Sequence, residues 1–362
     1  MKIYLLIGLT CCLSISFAQE DLTEQEKKYQ DSIAQVNQMS AATELAQKSY
    51  NEGIALFEQK KYKTAITKFE ASIQADPNFK ASYYNKAIAE NKLNNFKASV
   101  SSLDALLKLD PMFEKAYLQR ALAHQGNQNF GDAETDYNRA IKAEPNNPKV
   151  YYNFGTMLFL QKNYDSAIEA FSKTITLEPK NAFAYNDRGS CKRMLGKYEA
   201  AVKDYELATR QNPDLAFVFN NIGSTKTKLK QYEEALKAFN KAISIDPKFY
   251  LAYNNKGVCL MEMGKVDEAI KDFDKCISIN AKYAPAYSNR AGAKFKTKAY
   301  KAAKADADKA IQLDSEFADA YVNRGMAKEM LRDMSGACMD WHKARELGSP
   351  LGKHYQSTNC SN

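Results

Sequence analysis

Residues Pro148 to Asn181 read PKVYYNFGTMLFLQKNYDSAIEAFSKTITLEPKN, and the rest of the chain is organised around this segment. Apolar residues recur at spacings of three and four from Tyr151 to Leu158 and again from Ala167 to Ile175, which predicts two amphipathic helices. Residues 161–163 form the turn between them. Pro179 ends the second helix because a proline has no N–H for the next helical turn. A helix pair this short cannot bury its apolar face alone, so we expect it to pack against neighbouring pairs.

The same pattern recurs every 34 residues from Ala46 to Leu351, in nine copies without an insertion or deletion. We number the places of each copy from its first residue; the copies begin at Ala46, Lys80, Glu114, Pro148, Ala182, Ala216, Tyr250, Ala284 and Ala318. The eighth place is always Gly or Ala, the twentieth is Ala in every copy except for Ser99, and the twenty-fourth is aromatic in seven copies. Small residues at the eighth and twentieth places let two helices approach closely, and the bulky twenty-fourth place fills the space around their contact.

At these places the chain resembles the tetratricopeptide repeat family, whose 34-residue helix–turn–helix carries this pattern and a closing proline. The resemblance implies an all-α fold, an α-solenoid of nine repeats wound as a right-handed superhelix, with a concave surface lined by the first helices. It also implies a protein–protein interaction scaffold. We assign residues 46–351 to the repeats, 19–45 to a lead-in helix and 352–362 to a capping tail. The lead-in helix either covers the first repeat or acts as a tether.

Residues 1–18 have the features of a secretory signal peptide. Lys2 supplies the positive start, an apolar stretch follows, and Ser16-Phe17-Ala18 is a small-x-small cleavage site before Gln19. The alternative is a lipoprotein signal ending at Cys11 or Cys12, which Leu9-Thr10-Cys11-Cys12 matches poorly. We therefore expect an exported protein, periplasmic or extracellular, cleaved after Ala18 and without a transmembrane segment once the signal is removed.

Composition argues against several classes of function. The formal net charge of +8 is spread along the chain without a Lys/Arg cluster, which argues against nucleic-acid binding. Only three histidines are present, and HExxH, GxSxG and phosphate-cradling glycine motifs are absent. We therefore expect no enzyme activity, no cofactor and no metal site.

The sixth place of the repeats forms a ladder of side-chain amides, which we take as the candidate binding surface. Its members are Asn51, Asn85, Gln119, Asn153, Asp187, Asn221, Asn255, Asn289 and Asn323. An amide offers both donors and an acceptor, so it can pair with a peptide main chain of any sequence. The series is similar to the asparagine ladder of the O-linked N-acetylglucosamine transferase family, in which such a ladder holds extended peptides. The alternative is that these side chains bond locally or to water.

Aromatic side chains at the second and fifth places stand beside the ladder. They are Tyr50, Tyr84, Tyr152, Phe183 and Phe217. Exposed aromatics suit an apolar anchor of a protein or peptide partner. The alternative is that the lead-in helix or a neighbouring turn covers them. We expect Tyr152 and Asn153 in particular to be unused by packing and to be available to a partner.

Three interpretations of the function follow, the least favoured being a metal- or redox-active site at Cys338, His342, His354 and Cys360. The first is a cell-envelope scaffold that binds a peptide or partner helix along the concave groove. The second is a self-associating structural component of the envelope whose groove is permanently filled.

Five cysteines follow the signal peptide, and two of them lie near the C-terminus. Cys338 occupies the twenty-first place of the last repeat, the face that elsewhere packs on the following repeat, and only a short tail to Cys360 follows. A Cys338–Cys360 bridge would hold that tail over the exposed end, as the similarity of this end to those of exported bacterial tetratricopeptide proteins also implies. Free thiols, or a zinc or redox site formed with His342 and His354, are the alternatives.

Overall fold

The structure is a computed structural model that describes residues 24–360, so the predicted signal peptide lies outside the described residues. Every regular element between these residues is an α-helix, and no β-strand occurs among them. The chain divides into two compact units after Asn146. No helix in the described part of the chain is both long and apolar enough to span a bilayer.

The first unit holds the first three repeats. Its helices are α1 Glu24–Glu58, α2 Tyr62–Ala75, α3 Lys80–Lys92, α4 Phe96–Leu109, α5 Glu114–Gly126 and α6 Phe130–Ala143. The second unit holds the remaining six repeats and a final helix. Its helices are α7 Pro148–Leu160, α8 Tyr164–Leu177, α9 Ala182–Met194, α10 Tyr198–Gln211, α11 Ala216–Lys228, α12 Tyr232–Ile245, α13 Tyr250–Glu262, α14 Val266–Ile279, α15 Ala284–Lys296, α16 Tyr300–Leu313, α17 Ala318–Met330, α18 Met334–Glu346 and α19 Pro350–Asn359.

Each repeat is a helical hairpin, and its small and large places pack as the sequence predicts. The twentieth-place residues are fully buried, and the twenty-fourth-place side chains from Phe69 to Trp341 are at most 1% exposed. At Gly223, an added Cβ would lie 2.6 Å from the ring of Phe239. In the eighth repeat, where the twenty-fourth place holds the small Ala307, the eighth place is Ala291 rather than a glycine. The eighth-place glycines therefore make room for the ring on the second helix.

The turn inside every hairpin contains a residue with positive φ at the fifteenth place. Only Gly196 and Gly264 are glycines there; the others are Lys60, Asn94, Gln128, Lys162, Lys230, Lys298 and Arg332. In the fourth repeat, Lys162 N donates to Phe159 O at 2.9 Å and Asn163 N to Leu158 O at 2.9 Å. These hydrogen bonds satisfy helix-end carbonyls and compensate for the left-handed backbone, which costs a non-glycine residue about 1 kcal/mol.

The ends of the described chain depart from the repeat pattern. The lead-in segment is not a separate helix, because α1 continues without a break into the first helix of the first repeat. Tyr29, Val36 and Met39 on this extension are more than 60% exposed. At the other end, α19 packs against α17 and α18. Its Tyr355 stacks on Trp341 at 5.3 Å between ring centroids.

Candidate functional site

The first helices of successive repeats pack side by side within each unit. Their fifth- and sixth-place side chains form the surface that we call the ladder face. Residues at these two places lie next to each other on each helix, and the sixth place of one repeat meets the fifth place of the preceding repeat. The predicted ladder residues therefore share one surface within each unit.

A hydrogen-bonded zipper runs through the ladder face. Asn221 Nδ2 donates to Asn186 Oδ1 at 3.0 Å. The bond from Asn289 to Asn254 repeats this geometry at 2.9 Å. The same fifth-to-sixth-place pairing joins Tyr50 with Asn85, Tyr152 with Asp187, Asn220 with Asn255, and Ser288 with Asn323. The ladder amides thus bind one repeat to the next, which is a structural task that the sequence analysis did not assign to them.

Two ladder residues, Asn51 and Asn153, form no bond to another repeat among the described residues and bond within their own helix instead. Asn51 Oδ1 accepts from Gln47 Nε2 at 2.8 Å, and Asn153 Nδ2 donates to Lys149 O at 2.8 Å. Local bonding of this kind is one of the alternatives that the sequence leaves open. Asn153 remains partly exposed on the ladder face.

The aromatic residues beside the ladder fall into two groups. Tyr50 and Tyr84 each pack against a phenylalanine, Phe79 and Phe113, at 5.3 Å between ring centroids. The expectation that packing does not use Tyr152 is wrong. Its ring lies 5.7 Å from that of Phe171 and its hydroxyl donates to Asp187 Oδ2 at 2.7 Å.

Phe183 and Phe217 form the second group. Their rings stack at 6.1 Å with an interplanar angle of 21°, and Phe183 is 49% exposed. Phe217 is partly buried against the core that the fifth and sixth repeats share. Of the five predicted anchors, Phe183 alone is exposed, and the other four are partly buried.

A cavity of about 290 Å³ opens on the ladder face in the seventh to ninth repeats. Its lining is drawn from α13, α14, α15 and α17 and consists of Val258, Met261, Glu262, Phe273, Ser288, Asn289, Gly292, Lys296 and Asn323. Two of these residues belong to the predicted ladder. The sequence analysis did not identify the other lining residues. The cavity depends on the missing side chain at Gly292, and nothing in the pattern of a single repeat marks this glycine as different from others. A Cβ at Gly292 would meet only Asn323, at 3.7 Å.

A second periodic network was also missed by the sequence analysis. Arg290 at the seventh place donates from Nε and Nη2 to Asp306 on the second helix of its repeat, and from Nη1 to Asp274 of the preceding repeat at 2.6 Å. Arg120 and Arg324 repeat the three bonds. These ion pairs raise the pKa of each guanidinium above its ordinary value. The sixteen-residue spacing from Arg to Asp could have revealed the network, whose task is to join helices.

The cysteines divide as the sequence suggests. Cys338 and Cys360 form a disulfide in the structure, with their Cα atoms 5.8 Å apart. Cys191, Cys259 and Cys276 are buried free thiols, and burial raises the pKa of Cys191 and of Cys276 to about 12. The alternative zinc site would use His342 as a ligand. In the structure His342 lies beside the bridge, but its ring bonds to Gln356 and Glu346. Residues 24–360 contain no cluster of three or more His, Cys, Asp or Glu side chains that could hold a metal ion.

Comparison with known proteins identifies the family. Models described as tetratricopeptide repeat match residues 50–112, 118–182, 163–216, 216–249 and 250–283, which together exceed half of the chain. This protein belongs to the tetratricopeptide repeat family, whose members are in general protein–protein interaction scaffolds rather than enzymes. No curated protein matches the chain.

Solved structures agree on the fold. A tetratricopeptide repeat protein from Parabacteroides merdae ATCC 43184 is 22% identical with a TM-score of 0.59, over 68% of this chain and 99% of that one. A chain of the APC/C hetero-tetramer Cut9–Hcn1 is 16% identical with a TM-score of 0.56, over 83% of this chain and 59% of that one. Pseudomonas aeruginosa pilF is 20% identical with a TM-score of 0.51, over 58% of this chain and 96% of that one. The predicted all-α solenoid of tetratricopeptide repeats is confirmed.

Proposed function

We propose that this protein is an exported scaffold that binds an extended segment of a protein partner along the ladder face. The observation that carries the proposal is the cavity bordered by Asn289 and Asn323. Its apolar lining from Val258, Met261 and Phe273 suits an aliphatic or aromatic side chain of the partner, while the two amides at its edge suit the partner's main chain.

The hydrogen bonds of the zipper fix the orientation of ladder amides before a partner binds. Asn221 and Asn289 each use one N–H in the bond to the preceding repeat, and among the described residues nothing donates to their Oδ1 atoms. Each amide is therefore held in one orientation, with an acceptor left for a peptide N–H. Groups that are fixed before binding lose less conformational entropy when the partner arrives, which favours affinity.

The export component rests on the sequence. The signal-peptide features of residues 1–18 support it, and a bridge between Cys338 and Cys360 suits an oxidising compartment. N-terminal sequencing of the protein recovered from the envelope or medium of the source cell tests this component. We expect Gln19 as the first residue. A retained Met1 would contradict export, whereas a lipid-bearing N-terminus at Cys11 or Cys12 would contradict cleavage after Ala18.

Occlusion of the cavity tests the binding component. Peptides are selected on the 19–362 protein from a random-peptide phage library, and their affinities for variants are measured by fluorescence anisotropy. Gly292→Leu places a side chain in the cavity, so we expect it to weaken binding by about tenfold or more. Gly292→Ala is the matched control and should bind as the wild type does. Equal affinity of all three proteins would refute binding at this cavity.

A further inference from the structure

Asp187 is the only carboxylate at the sixth place of the repeats, where all other copies carry an amide. Its Oδ2 accepts from the Tyr152 hydroxyl at 2.7 Å and its Oδ1 from Asn186 Nδ2 at 2.9 Å. Asn186 Oδ1 in turn accepts from Asn221 at 3.0 Å. The carboxylate is therefore fixed within a hydrogen-bonded chain that joins the fourth, fifth and sixth repeats.

This carboxylate lacks a countercharge. Both of its donors are neutral, and no Lys, Arg or His among the described residues forms an ion pair with it. Asp204 on α10, by contrast, pairs with both Arg188 and Lys192 at 2.7 Å. Burial raises the pKa of Asp187, although the two hydrogen bonds oppose the shift. A partly buried carboxylate without a cation is costly, and a cationic ligand removes that cost.

Phe183, the exposed member of the stacked aromatic pair, lies on the same side of α9 as Asp187. Phe183 precedes Asp187 by four residues, a spacing that places the two side chains on one helix face. Phe217 of the next repeat stacks on Phe183 at 6.1 Å. One surface therefore offers both an aromatic face and a carboxylate. Each carboxylate oxygen of Asp187 accepts one bond in the structure and retains a further lone pair.

We infer that Asp187, Phe183 and Phe217 form a subsite for an arginine side chain of the extended segment bound on the ladder face. The guanidinium would stack on the phenylalanine face and donate to the carboxylate. Arginine suits this surface better than lysine because its planar group is weakly hydrated and pairs with both an aromatic ring and a carboxylate. The inference rests on the proposed function and adds the chemistry of one partner residue.

The arginine subsite is tested by peptide selection and by replacing the selected arginine with the uncharged citrulline. Random-peptide phage libraries are selected in parallel on wild-type 19–362 and on Asp187→Asn, which restores the amide of the other repeats. We expect arginine to be enriched only in the wild-type selection. In a selected peptide, replacement of that arginine by citrulline should weaken binding to the wild type by about tenfold and leave binding to Asp187→Asn unchanged, because citrulline keeps the shape and removes the charge.

The controls separate this inference from the proposed function. Asp165→Asn removes the same charge from an exposed site on α8, where the side chain is 75% exposed, and it should retain wild-type arginine preference. Thermal unfolding shows whether Asp187→Asn retains its fold. Selected peptides that bind arginine and citrulline forms equally would overturn the subsite and leave the scaffold function standing. A wild-type selection that enriches no peptide would overturn both.

Discussion

Asn289 Nδ2 donates to Asn254 Oδ1 at 2.9 Å, so the sixth place of the eighth repeat is bonded to the fifth place of the seventh. Asn254 is only 4% exposed, and its own Nδ2 is engaged by Asn255. The ladder is consequently part of the interface between repeats as well as the proposed surface for a partner. This double use determines how substitutions on the ladder face must be interpreted.

We predict that Asn289→Ala destabilises the protein by about 1–3 kcal/mol, because it leaves the buried Asn254 oxygen without a donor. Asn153→Ala removes only a bond within its own helix and should change the stability much less. Urea unfolding followed by circular dichroism measures both. Equal effects of the two substitutions would contradict the structural role of the zipper. Loss of binding after Asn289→Ala or the analogous Asn255→Ala is thus ambiguous, whereas Asn153→Ala reports on binding alone.

Replacement by alanine should have opposite effects on stability at two glycines of the first helices, Gly223 against the ring of Phe239 and Gly292 at the cavity. Gly223→Ala places a Cβ 2.6 Å from the ring of Phe239, so we expect a loss of about 1–3 kcal/mol from overpacking. Gly292→Ala meets nothing closer than 3.7 Å and should stabilise the helix by up to about 1 kcal/mol. Thermal or urea unfolding of the two variants provides the measurement. A stabilising Gly223→Ala would show that the ring moves aside at little cost.

Thiol counting tests the bridge at the C-terminus. Denatured 19–362 protein should react with Ellman's reagent at three thiols, those of Cys191, Cys259 and Cys276, and at five if Cys338 and Cys360 are reduced. Denaturation is required because the three free thiols are buried. We expect Cys338→Ser with Cys360→Ser to lose about 3 kcal/mol of stability, since the bridge closes a chain segment with a sequence separation of 22. Five reactive thiols in the oxidised wild type would contradict the bridge.

Glu90 on α3 should make the stability depend on pH. It is 4% exposed, and burial raises its pKa above the ordinary value of 4.5, although the hydrogen bond from Ser102 and the charge of Lys86 oppose the shift. Glu70, which also faces it, adds to the increase. Its protonated form therefore stabilises the fold fully below pH 4.5, and this contribution is lost as the pH rises through the raised pKa.

We accordingly expect Glu90→Gln to be more stable than the wild type at neutral pH, with a difference that shrinks below pH 4.5. Glutamine can still accept the hydrogen bond from Ser102. The exposed Glu199→Gln is the control and should show no such pattern. Urea unfolding across this pH range is the measurement. A neutral-pH destabilisation by Glu90→Gln would mean that the ion pair with Lys86 outweighs the cost of burial.

The sequence predicted the hairpins well because their packing is decided within 34 residues. The small eighth place, the bulky twenty-fourth place and the three-residue turn all act inside one repeat, as Gly155, Phe171 and residues 161–163 illustrate. Within each unit the ladder residues lie on one surface. Their zipper was not foreseen, because it depends on which rotamers bring the fifth and sixth places of adjacent repeats together. The cavity at Gly292 depends on side chains from four helices, which no single repeat specifies.

Photocrosslinking locates a bound peptide on the protein and so tests binding on the ladder face. A peptide selected on the 19–362 protein is synthesised with a benzophenone at its apolar anchor, bound, irradiated and mapped by mass spectrometry. Benzophenone reacts readily with methionine side chains, and Met261 lines the cavity. We predict adducts on Met261 and its neighbour Val258, and their loss in Gly292→Leu. Adducts confined to the second helices or to Met334 and Met339 near the C-terminus would contradict binding on the ladder face.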